Sequence, residues 1–205
     1  MKEKLAPIHF VQHNRIKIQE NLETFLIDLF GLQDVDAHLI DIHGPRTSEE
    51  ALEIQIDHDD IHGWLESHLV ANEKRLSMLS REILKSHDEP ALLLAHAEYG
   101  KRLAESLKEK IQFSNGEQLY GYLNTVMLDG MPCDKINEMV EAGERHLVWK
   151  SRRDLHSRYY EEQNLPEGLY PNLRRSFLAS FLTSLDVSFF DMDCTENGIL
   201  YSAHF

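Results

Sequence analysis

The sequence predicts a predominantly helical α+β protein, and three observations carry that expectation. Apolar residues recur at three- and four-residue steps over most of the chain, the period of an amphipathic helix. Two stretches, near residues 38–57 and near 186–203, instead alternate or cluster β-branched and aromatic residues around turn signals, as antiparallel strand pairs do. The 205 residues are 42% hydrophobic and 27% charged, the balance of a folded chain with its own core. About six or seven helices and two short strand pairs are therefore expected, on these periods alone.

Between Ile8 and Phe30, the residues Val11, Ile18, Leu22, Phe25, Leu26 and Leu29 form one helical stripe, and Gly31 stands where a left-handed cap belongs. Leu39-Ile40-Asp41-Ile42 and Leu52-Glu53-Ile54-Gln55-Ile56-Asp57 predict the first strand pair, its connection starting at Gly44-Pro45. Asp57 to Asp60 offer caps to a helix striped by Ile61, Trp64, Leu65, Leu69, Leu76, Leu79 and Ile83. Pro90 opens the next helix, which carries Leu93, Leu94, Ala97, Leu103, Leu107 and Ile111 and ends at Ser114-Asn115-Gly116. A shorter one holds Leu119, Leu123, Val126 and Met127.

Beyond Pro132 the spacing of Ile136, Met139, Val140, Leu147, Leu155 and Tyr159 predicts a long helix, or two broken near Ala142-Gly143. Leu173, Phe177, Leu178, Phe181 and Leu182 predict a last helix with Pro171 in its first turn. Val187 to Met192 and Ile199 to Ser202 predict a hairpin across Thr195-Glu196-Asn197-Gly198, where Asn-Gly is a favoured turn pair. A single domain over 1–205 is expected, with a division into 1–113 and 117–205 as the alternative.

Thirty-five acidic against 21 basic residues leave a net charge of −14, which repels nucleic acid and anionic membrane. That charge is polarised. Residues 145–175 carry seven cations against four acids, +3, and the rest of the chain carries −17. Protonation of the 12 histidines near pH 5 brings the total to about −2, so self-association on mild acidification is expected. Cys133 and Cys194 belong to no metal or redox spacing, and no apolar run has the length of a signal peptide or a membrane span. A cytoplasmic protein with reduced thiols is the expectation.

Catalytic signatures are few. Gly-x-Ser-x-Gly and the Gly-rich phosphate loops are absent, which favours a non-enzymatic role. His58 and His62 sit four residues apart, the spacing at which two imidazoles on a helix share one Zn²⁺ or similar divalent ion; Asp41 and His43 are expected to reach the same end of the structure. The intervening Glu of a metalloprotease pair is missing. Residues 119–158 read as a helix-turn-helix with a basic third helix, although Asn137 and Glu141 stand where the motif wants a small residue and a glycine. The principal expectation is a regulatory module that binds a protein partner, or a second copy of itself, through an Arg/aromatic surface of Arg145, Trp149, Arg152, Arg153, Arg158, Tyr160, Arg174 and Arg175.

Overall fold

A computed structural model describes residues 4–196 and 198–205. The protein is a mixed α+β, mostly helical single-domain fold, with eight α-helices and one four-stranded antiparallel sheet among the described residues. The helices are α1 (Pro7–Phe30), α2 (Gln33–His43), α3 (Leu52–Gln55), α4 (Ile61–Leu84), α5 (Glu89–Leu107), α6 (Gly116–Val126), α7 (Ser157–Glu162) and α8 (Leu169–Ser184). The strands are β1 (Asn137–Ala142), β2 (His146–Ser151), β3 (Phe189–Thr195) and β4 (Gly198–His204), in the spatial order β1-β2-β4-β3. Among the described residues no helix is long and apolar enough to cross a membrane.

Local chemistry sets the helix ends. Asp60 Oδ1 accepts from Gly63 N at 2.9 Å, Asp88 Oδ1 from Ala91 N at 3.0 Å and Asn115 Oδ1 from Gln118 N at 3.0 Å, so α4, α5 and α6 each begin on a side-chain cap. Gly31 closes α1 in the left-handed region at φ 67°, a conformation that costs other residues a Cβ clash. In the sheet, Leu147, Trp149 and Ser151 of β2 alternate inward with Ile199, Tyr201 and Ala203 of β4, and all six are buried. The Trp149 and Tyr201 rings stack directly across the strands, 4.7 Å apart. The main core lies between this face and α1, α4, α5, α6 and α8, around Leu22, Leu79, Leu92, Leu123 and Phe181.

Two expectations are corrected. The strand pair near 38–57 is not formed. Residues 33–43 are helical because Val35, Leu39 and His43 supply a one-face stripe at four-residue spacing, with Asp34 and Asp36 in the first turn and Gly44 behind it. Leu52 and Ile56 are buried four apart across the single turn α3, while Ile54 is 69% exposed, so the apparent alternation of this segment is not used. The helix-turn-helix over 119–158 is likewise replaced after α6: residues 137–151 form the β1/β2 hairpin, and Gly143 lies in its turn, where its N–H donates to the His146 carbonyl at 2.9 Å. Leu147 and Trp149 belong to a period of two, and the helical spacing that linked Leu147 to Ile136 and Met139 is coincidental. The C-terminal hairpin is present as β3/β4; Asn197, half of its expected Asn-Gly turn, lies outside the described residues.

Candidate functional site

The helices converge on a buried charged hub. Glu73 comes from α4, Asp129 from the α6–β1 loop, His156 from the β2–α7 loop and Arg174 from the core-facing stripe of α8, and each is at most 9% exposed. Arg174 meets Asp129 two-pronged, Nη1 at 2.7 Å from Oδ1 and Nη2 at 2.9 Å from Oδ2. Its Nε donates to Tyr201 Oη at 2.7 Å and its Nη1 to Tyr170 Oη at 3.1 Å. His156 lies 2.7 Å from Glu73 Oε1 through Nδ1 and 3.2 Å from Asp129 Oδ1 through Nε2, with its ring stacked on Tyr170 at 4.5 Å. Asn137 Nδ2 donates to Asp129 Oδ2 at 2.6 Å. Two carboxylates face two cations, so the hub is electrically closed.

The proton chemistry follows from that closure. Burial by itself lowers the His156 pKa, but Glu73 and Asp129 outweigh it and raise the value to about 9, so both ring nitrogens carry protons at neutral pH. Burial likewise raises the Asp129 carboxyl, and the Arg174 guanidinium with His156 more than reverses this, holding it well below the carboxylate range.

Two hollows flank the hub, and Glu73 and His156 line both. An inner cavity of about 50 Å³ lies among α1, α4, α5 and α8, with Leu22, Leu76, His96, Tyr170 and Leu178 in its wall. An outer cleft of about 240 Å³ has Leu69, Val70, Met131, Leu155 and Tyr159 as its apolar lining and carries Arg153, Arg158, Glu66 and Asp134 beside them.

A second buried network is structural. Glu23 of α1 accepts from Arg75 Nε at 2.8 Å and from Arg46 Nε at 2.6 Å, and Glu20 accepts from Thr47 N at 2.9 Å. Arg75 Nη1 also donates to the Gly44 carbonyl at 2.9 Å. These bonds pin the connection after α2 against α1 and α4.

The expected Arg/aromatic surface is divided. Trp149, Tyr160 and Arg174 are core residues, 0%, 5% and 9% exposed, and leave the partner surface because Trp149 completes the sheet stack, Arg174 the hub, and Tyr160 packs against Tyr170 at 5.4 Å. Arg145 donates to the Phe205 carbonyl at 2.7 Å, Arg152 pairs with Glu138 and Arg175 with Asp191, all near the sheet. Arg153 and Arg158 are exposed and have no carboxylate partner among the described residues; Arg158 instead lies 4.6 Å over the Tyr159 ring.

The metal expectation fares differently. His58 precedes the cap of α4, outside the helix, and its Nε2 lies 2.8 Å from the Glu53 carbonyl, so the one-face geometry with His62 does not arise. The His62 ring instead packs edge-on against His9 at 5.2 Å. Asp41 and His43 lie on α2, not on a strand. Among the described residues no three His, Cys, Asp or Glu side chains are placed to hold a metal ion.

Glu73, His96, Asp129 and His156 were not anticipated as site residues. The readable trace of the hub was Arg174 inside the apolar stripe Leu173, Phe177, Leu178, since a cation on a core-facing stripe requires a buried anion. No family model, curated protein or solved structure matches the chain.

Proposed function

We propose that this chain is an interaction module that captures an acidic, partly apolar segment of a protein partner in the outer cleft. The observation that carries the reading is that Arg153 and Arg158, both exposed and without a carboxylate partner among the described residues, line one cleft with an apolar wall. Arginine and aromatic side chains beside apolar pockets are the commonest energetic anchors of interfaces, and an unpaired guanidinium matches a carboxylate two-pronged. Glu66 and Asp134 share the cleft, which disfavours a bare polyanion and suits an isolated acidic residue between apolar neighbours. Asp134 is already held by the Met131 N–H at 2.8 Å.

Fluorescence anisotropy with a labelled peptide of alternating glutamate and leucine tests this reading. Binding is expected to weaken with salt and to fall about thirtyfold or more for Arg153→Ala combined with Arg158→Ala, at ~1–2 kcal/mol per anchor. Arg152→Ala with Arg175→Ala, a pair outside the cleft, is the control. Equal affinity in both double variants, or tighter binding of duplex DNA than of the peptide, refutes it.

A further inference from the structure

We propose that the inner cavity is a binding site for a small neutral molecule carrying a hydrogen-bond donor, a short alcohol or primary amide, seated with that donor on His96 Nε2. This inference is independent of the outer cleft.

His96 lies on α5 and is 4% exposed. Its Nδ1 is 3.0 Å from the Leu92 carbonyl, a group that only accepts, so Nδ1 carries the proton. Burial lowers the ring pKa to about 4, against the Leu92 bond, and the ring is therefore neutral. Nε2 is then a bare acceptor, and it has no hydrogen-bond partner among the described residues. His96 lines the cavity, where a donor can reach this acceptor. The position asks for a donor that the chain does not supply.

The other wall groups define the rest of the molecule. Tyr170 Oη accepts from Arg174, which leaves its O–H to donate. Gln19, half-buried in the same wall, has an amide with no hydrogen bond among the described residues. A hydroxyl or amide satisfies such a set because it both donates and accepts. A charged ligand does not fit, since Glu73 and Asp129 are already balanced by His156 and Arg174. Leu22, Leu76 and Leu178 receive a short alkyl part. At about 50 Å³, the space is roughly a third of the ~150 Å³ that takes benzene, so only a few heavy atoms enter.

The test is a titration of the full chain, carrying nitrogen-15-labelled histidine, with isopropanol and with acetamide. A saturable upfield shift of His96 Nε2 and a rise in Tm are expected with at least one of them. Leu178→Phe fills the cavity and should abolish both effects. His96→Phe, which removes the acceptor, should abolish the Tm rise and serves if the first variant does not fold. A response that never saturates, one unchanged in the folded variant, or crystals soaked with either compound showing only water on Nε2 overturns the proposal.

Discussion

His156 Nδ1 lies 2.7 Å from Glu73 Oε1 while its Nε2 lies 3.2 Å from Asp129 Oδ1, so one imidazolium bridges two buried carboxylates. Both partners only accept, which fixes two protons on the ring. The bridge joins α4 to the loops before β1 and α7, and Arg174 extends it to α8 and the sheet.

Stability is therefore expected to decline on the alkaline side. The folded pKa of His156, about 9, lies above its ordinary 6.5, so the protonated bridge contributes fully below pH 6.5 and is lost as pH rises through 9. Glu73→Gln keeps a hydrogen-bond acceptor but removes one of the charges that raise this pKa. In that variant the decline of Tm should begin closer to neutral pH. Calorimetric scans from neutral to alkaline pH decide the matter; a flat profile in the parent protein would sink the idea.

The acid side is governed by other histidines. The His68 ring packs at a tilt against Trp64, 4.2 Å between centroids, and its Nδ1 is buried without a partner among the described residues. Burial first, then Arg75 and His13, push its pKa down to about 4. The neutral ring contributes stability above pH 6.5 that is lost as pH falls toward 4. His13, His43 and His96, lowered chiefly by burial, act in the same direction. Glu23 opposes them: burial raises its carboxyl to about 7 against Arg75 and Arg46, so its protonated form gains as pH falls. His68→Phe retains the ring on Trp64 and removes the titration. The fall in Tm between pH 6.5 and 4 should become shallower, with the alkaline limb unchanged; an identical acid limb would show that His68 does not drive it.

What could be read from the chain and what could not have a common physical origin. α1, α4, α5 and α8 were readable because their apolar stripes meet one shared core and their ends carry local signals, Gly31, Asp60 and Pro90 among them. The β1/β2 hairpin was not, because Leu147, which shares a period of two with Trp149, also extends the helical spacing of Ile136, Met139 and Val140. Only pairing with β4, some fifty residues further on, separates the two. The hub was hidden for the same reason. Glu73, Asp129, His156 and Arg174 are single letters on four elements, each unremarkable alone, and their meaning depends on contacts across as many as 83 positions.

The contact of α5 with α8 gives the sharpest steric expectation. At Gly100 an added Cβ would stand 2.4 Å from the Phe177 carbonyl oxygen. The obstacle is backbone, so no side-chain rotation relieves it. Alanine ordinarily gains ~1 kcal/mol over glycine in a helix, and here overpacking outweighs that gain, with a net cost of ~1–3 kcal/mol. Tm of Gly100→Ala should fall by roughly 2–10 °C for a chain of this size. Gly121 provides the internal comparison: it lies on the exposed side of α6, where a Cβ meets nothing within 4 Å. Gly121→Ala should raise Tm through helix propensity alone. If both substitutions raise it, α5 and α8 do not approach at Gly100 as closely as the packing described requires.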